Sequence, residues 1–409
     1  SWTTQLGNAS VLKGTFGDDT FTVNNEDVKI TDPAGIDTVY SPVSFDLSKH
    51  FSIENLVLTG SGNISGTGNF RANSIVGNSG DNTLDGGFDF VEDTLRGGPG
   101  DDAYVYRDTL DQILENEDEG SDTILTTINE TSLADLGIAN VENLTFTGAG
   151  SSTLSGNVLA NVLTGGTDAD TLFGAVGDTL IGWQGDDLYF VDSVTTKILE
   201  LDGPLEGNDT ISTAISTYSM AAATNVEALE YKGKSNSNLT GNTGSNSIYG
   251  GLTVRNTING GDGDDYIFGG DTTDSLVGGA GDDTLAVTQW ADGVVVGSLG
   301  TTLRGGKGSD TLAGGEGDDW YVVNSQTAYT YDDTDGANTI ASTVDFSLKY
   351  NANIAANIQN LYLIGDASLR GTGSDSDNLI TGNDGDNRLD AEAGNDTVIA
   401  GLSADVVNG

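Results

Sequence analysis

Residues 260–322 read GGDGDDYIF, GGDTTDSLV, GGAGDDTLA, VTQWADGVV, VGSLGTTLR, GGKGSDTLA and GGEGDDWYV, seven units of nine with no residue left over. Position eight is apolar every time: Ile267, Leu276, Leu285, Val294, Leu303, Leu312 and Tyr321. Position six is Asp265, Asp274, Asp283, Asp292, Thr301, Asp310 and Asp319, a carboxylate in all but one. The two middle units have lost most of their glycines and still hold both positions in register. A nine-residue period of glycines, one carboxylate and one apolar residue describes short strands joined by glycine turns. Such a chain winds into a coil that stacks on itself and binds cations. The expectation is an all-β fold, with helix confined to a turn or two at 132–137 and 220–226.

The composition agrees. Fifteen Lys and Arg stand against 62 Asp and Glu in 409 residues, a formal charge of −47. So much like charge opposes any compact state unless cations neutralise it. The 36% hydrophobic content, placed at regular Ile, Leu and Val positions, separates the chain from an acidic disordered one. Nucleic acid is excluded as a partner because no basic patch meets phosphate, and membrane insertion because no apolar run approaches a bilayer span. Cysteine is absent, so neither disulfides nor thiolate metal sites hold the fold. The chain opens at Ser1 with no basic, hydrophobic leader, which predicts that any N-terminal signal is absent or removed.

A longer repeat lies above the nonapeptide. Gly-Asp-Asp anchors begin at Gly17, Gly100, Gly185 and Gly317. Each is followed by a strand signature: Ile53-Glu54-Asn55-Leu56, Val141-Glu142-Asn143-Leu144, Val226-Glu227-Ala228-Leu229 and Ile358-Gln359-Asn360-Leu361. Anchor spacings are 83, 85 and 132 residues, and the excess of 47 in the last is close to five nonapeptides. Whole coils insert easily where each touches only its neighbours. The chain therefore reads as one continuous elongated solenoid over 1–409 in four modules: 1–105, 106–190, 191–322 with the extra nonapeptides, and 323–409. At 18 residues per turn and ~4.8 Å per stacked strand it would extend on the order of 100 Å.

The glycines permit backbone of positive φ and turn carbonyl oxygens inward, and the carboxylate adds a hard anionic oxygen. Calcium takes six to eight such oxygens, whereas magnesium demands a tighter octahedron and keeps its waters. The pattern resembles the RTX, or haemolysin-type, calcium-binding repeat family, closely at 260–286, 305–322 and 97–105 and more loosely at 165–190. That resemblance implies a right-handed parallel β-roll, a β-solenoid with two nonapeptides per turn and calcium between loops on the same side. It makes Asp19, Asp93, Asp102, Asp170, Asp187, Asp265, Asp274, Asp283, Asp292, Asp310, Asp319 and Asp396 the candidate ligands of several Ca2+ ions. Two units per turn would set Asp265 over Asp283, Asp274 over Asp292 and then Asp310, Asp170 over Asp187, and Asp319 over Thr301. Around Asp292 and Thr301 the lost glycines leave a cation and a metal-free turn equally open. Elsewhere Asn73, Asn82, Asn246, Asn378 and Asn387 replace the aspartate, and stacked amides that bond one another would need no cation.

Catalytic constellations do not emerge. His50 is the single histidine, in an ordinary loop context, and neither His-Glu-x-x-His nor Gly-x-Ser-x-Gly occurs. Among 62 acids a chance pair carries no weight. Tyr104, Tyr189 and Tyr321 read as core, while Trp183 and Trp290 fall in loops able to meet a neighbouring chain or a sugar. The expected function is a non-catalytic, calcium-binding extracellular protein that forms or decorates a bacterial surface assembly: a filament, S-layer or adhesive matrix. Self-association, end to end or lateral, and surface polysaccharide are the expected partners. The alternative is the calcium-dependent repeat region of a secreted enzyme or toxin whose catalytic domain lies outside this chain. Export by a type I route is what the resemblance implies.

Overall fold

The computed structural model describes residues 11–88, 90–200, 207–270, 274–286, 301–307, 309–315, 317–325, 329–333, 336–349 and 358–409. Contacts divide the chain into two units, 1–207 and 208–409. Each is a β-solenoid of short parallel strands. Among the described residues there is no α-helix, only a 3-10 turn at Leu47–Lys49, capped by Asp46 accepting the Ser48 N–H at 2.9 Å. The turns at 132–137 and 220–223 close with isolated bonds such as Ile138 N–H to Leu133 O and Ala223 N–H to Met220 O, and do not propagate.

In the first unit, successive strands alternate between two faces. One face carries a six-stranded sheet from Thr20–Thr22 to Gln112–Ile113; the opposite one carries nine strands from Phe45–Asp46 to Lys197–Leu199. In the second unit a ten-stranded sheet runs from Thr217–Ser219 to Thr397–Ile399, opposite Ala228–Tyr231, Ser247–Tyr249, Tyr266–Phe268 and Thr284–Ala286. Most strands are three or four residues long, and those such as Val162–Thr164 and Thr179–Ile181 turn the central side chain inward and both neighbours outward, as strand alternation dictates. The inward residue is position eight of the nonapeptide. Ile267, Leu276, Leu285, Leu303, Leu312 and Tyr321 are each 0% exposed, as are Tyr104 and Tyr189. Stacked through parallel pairing, they make one continuous core row, and four-residue strands such as Ala103–Tyr106 and Asn143–Phe146 add a second inward residue.

Coil length is not uniform. Equivalent positions lie 17 residues apart at Asp37 and Glu54, 18 at Asp265 and Asp283, 20 at Asp102 and Asp122, and 27 at Asp283 and Asp310. The long coil corrects the expected register. Thr284 pairs with Thr311 and Ser275 with Thr302, so Asp283 neighbours Asp310 while Asp274 adjoins the Thr301 coil. This coil is nine residues longer than the one before it. The fourth unit has Val287 and Thr288 where stacked aspartate units have glycines, and Asp292 lies outside the described residues.

Candidate metal centre

Position one of each repeat explains the ladder. The position-six side chain folds back onto it, leaving no room for a Cβ. A Cβ on Gly260 would collide with Asp265 Oδ2 and lie 2.8 Å from the Gly278 carbonyl oxygen. One on Gly278 would collide with Asp283 Oδ2 and lie 2.6 Å from the Gly305 carbonyl oxygen. Gly165 faces Asp170 Oδ2 and the Gly182 carbonyl in the same way. Further along, Gly281 adopts φ +144° because its coil rests against the Gly263 carbonyl, a contact only glycine permits.

With the side chain so placed, Oδ1 accepts the backbone N–H of the equivalent residue one coil earlier. Asn246 N donates to Asp265 Oδ1 at 2.8 Å, Asp265 N to Asp283 Oδ1 at 2.9 Å, and Asp283 N to Asp310 Oδ1 at 3.0 Å. On the other face Asn256 N donates to Asp274 Oδ1 at 2.6 Å, Thr301 N to Asp319 Oδ1 at 2.6 Å, and Asp319 N to Asn338 Oδ1 at 2.7 Å. The first unit repeats the geometry. Ser152 N bonds Asp170, Asp170 N bonds Asp187 at 2.7 Å, Asn73 N bonds Asp93 at 2.7 Å and Asn82 N bonds Asp102 at 2.6 Å. Asp19 donates its N–H to Asp37 at 2.8 Å and accepts from Thr15, and Asp396, half-buried, accepts from Asn378 N at 2.9 Å.

Every candidate ligand among the described residues, Asp396 apart, is buried. Burial pushes Asp265 up to about 7 and Asp283 and Asp102 up to about 6, since the charged form loses its water and faces other carboxylates. Oδ2 of Asp102, Asp265, Asp283 and Asp310 is buried without a hydrogen-bond partner. Carboxylate oxygens needing a counter-charge, beside glycine carbonyl oxygens, form an oxygen-only donor set. It fits calcium. Asp265, Asp283, Asp310 and the Asp170–Asp187 pair are the residues best placed to hold it.

The asparagine coils are built differently from the expected amide stacks. Asn161 Oδ1 accepts the Asn157 N–H at 2.7 Å, and its Nδ2 donates to the Val141 and Glu142 carbonyls at 3.0 and 3.1 Å. Asn73 does the same to Ile53 and Glu54. A second asparagine four residues earlier, such as Asn69 or Asn242, closes the preceding turn through its own amide. These donors meet backbone carbonyls of the coil before, and where amides do meet, as Asn82 with Asn78 and Asn246 with Asn242, the bond lies within one turn and not between stacked coils.

Two sets of residues escaped the sequence reading. Position five makes an outer ladder in the opposite direction: Asp282 N donates to Asp264, Ser309 N to Asp282 and Ser121 N to Asp101, at 2.8 to 2.9 Å. The doubled aspartate of Gly-Asp-Asp thus bonds one neighbouring coil with each residue. Glu54 and Glu142 take the position-six place in their coils, accepting from Asp37 N and Asp122 N. Their alignment with Asp37 and Asp122, each just before a strand, was the available signal.

A family model for the RTX calcium-binding nonapeptide repeat matches residues 67–89, 146–179, 155–189, 233–252, 254–285, 296–326 and 372–407. No curated protein matches the chain. RTX repeats are typical of secreted proteins, and no helix among the described residues is long and apolar enough to cross a membrane. Ladder, glycine cradle and family model agree, and the chain carries RTX calcium-binding nonapeptide repeats.

Proposed function

We propose that this protein is a calcium-hardened structural component of a cell-surface or extracellular assembly, without catalytic activity of its own. One observation carries the reading: the position-six aspartates are buried and each bonds a neighbouring coil through Oδ1. The lone histidine is engaged as well. His50 is buried, its ring stacked on Phe45 at 5.0 Å and its Nδ1 accepting the Ile30 N–H at 3.3 Å. Burial holds its pKa below the usual histidine range.

Calcium bound at the ladders would neutralise adjacent carboxylates and join neighbouring coils. Extracellular modules bind it at roughly 10⁻⁴–10⁻³ M. The ladder acids therefore repel one another in a calcium-poor cytosol, and the coils close after export. Of the two loop tryptophans, Trp183 is exposed and offers a face for sugar or a second copy, and Trp290 lies outside the described residues. The test combines bound-calcium analysis with light scattering and electron microscopy over a concentration series. Calcium-dependent β-structure and ordered assemblies are expected. A chain that binds calcium but stays monomeric at every concentration would refute the assembly.

A further inference from the structure

Each Gly-Asp-Asp carboxylate has an acid thirteen residues further on: Asp32 after Asp19, Glu115 after Asp102, Glu200 after Asp187 and Asp332 after Asp319. These acids lie outside the nonapeptide. The first unit shows where they go. Asp102 and Asp122 are ladder neighbours, set by the pairing of Ala103–Tyr106 with Thr123–Thr126. Glu115 follows Gln112–Ile113, a strand of the opposite sheet, and enters from across the coil. One oxygen from each of the three lies within 4.8 Å of the others.

The cluster is enclosed. Asp102 and Asp122 are each 1% exposed and Glu115 is half-buried, and Asp102 Oδ2 is buried without a hydrogen-bond partner. Glu115 Oε2 has none either, while its Oε1 accepts the Tyr104 hydroxyl proton. That hydroxyl is pinned in turn by the Gly97 N–H at 2.6 Å. Among the described residues no ion pair brings a lysine or arginine to the cluster. Burial and mutual repulsion push Glu115 up to about 8 and Asp122 up to about 6.

The arrangement recurs. Asp19, Asp32 and Asp37 group within the same 4.8 Å. At Gly182 an added Cβ would collide with Asp187 Oδ2 and the Tyr189 hydroxyl and lie 2.6 Å from Glu200 Oε1, matching Gly97 with Asp102 and Tyr104. Three enclosed carboxylates cannot all ionise beside one another unless a cation joins them. An all-oxygen set drawn from flexible loops suits calcium better than magnesium.

We propose that Asp102, Glu115 and Asp122 form a second class of calcium site, inside the coil and completed by an acid from outside the repeat. The Asp19–Asp32–Asp37 group is its counterpart in the first module. This rests on the calcium reading above and adds to it a third carboxylate and an interior position. The experiment is equilibrium dialysis of the full chain against calcium, with elemental analysis, on the wild type, Glu115→Gln and Glu117→Gln. Glu115→Gln should hold one ion fewer per chain, and Glu117→Gln, the same charge change outside the cluster, as many as the wild type. In chelator Glu115→Gln should melt above the wild type, and in calcium it should gain less. A Glu115→Gln chain that binds the full complement overturns the interior site and leaves the ladders standing. A wild type that binds no calcium overturns both. A Glu115→Gln chain that fails to fold in chelator also overturns it, because removing an uncompensated buried charge should favour folding.

Discussion

Aspartate and asparagine occupy the same place in successive repeats and do opposite work there. Asp283 accepts the Asp265 N–H and leaves Oδ2 without a partner, whereas Asn161 donates to two carbonyls of the coil before it. The exchanges should therefore differ in sign. Asn161→Asp removes two buried hydrogen bonds and should destabilise by about 3 kcal/mol with or without calcium. Asp283→Asn keeps an acceptor for Asp265 and removes a buried charge, so it should raise the melting temperature in chelator and lose part of the gain from calcium. Thermal melts of both variants in each condition check the pair, and a shift of the same sign for both in chelator would contradict it. The position-six aspartates were legible in the sequence because their period is rigid. The asparagines' partners were not, since a backbone carbonyl one coil away leaves no side-chain signature. Glu115 was hidden for a similar reason, lying outside the nonapeptide in a stretch with no period of its own.

At the scale of the strand, stability rests on one inward side chain flanked by two outward ones. Leu285 is fully buried between the coils of Ile267 and Leu312. Leu285→Ala should cost about 2–5 kcal/mol. Because each coil touches only its neighbours, the loss should appear as faster amide exchange in Tyr266–Phe268, Thr284–Ala286 and Asp310–Gly315, with strands before residue 200 unchanged. Exchange that accelerates uniformly along the chain would show the solenoid to be more cooperative than nearest-neighbour contacts allow. Strand identity was legible in the apolar period, but the stacking order at 283–311 was not. Position eight keeps its nine-residue spacing through the fourth unit, so the period alone gives no sign that Thr284 pairs with Thr311.

For the molecule as a whole, the decisive quantity is charge in a confined space. Asp37, Asp102, Asp122 and Asp283 are pushed up to about 6, Asp265 to about 7 and Glu115 to about 8, against an unfolded carboxylate near ~4. The folded chain then holds more protons than the unfolded one between those limits, so stability without calcium falls as pH rises from about 5 to 8. Calorimetry in chelator should show a declining melting temperature across that range, and calcium should flatten the decline. A melting temperature that rises with pH in chelator would mean that the buried acids are already compensated.

The inner and outer ladders share a property with a consequence for how such chains change. On the inner ladder the donor is a backbone N–H, whether it belongs to Ser152, Thr301 or Asn256. A coil that carries the acceptor carboxylate therefore docks on its neighbour whatever side chain that neighbour bears. Duplicated, deleted or shuffled aspartate coils keep the same joint, so length can drift by recombination while the fold needs no redesign. The genetic unit of variation is then the whole turn, and substitution within a turn is free to specialise it.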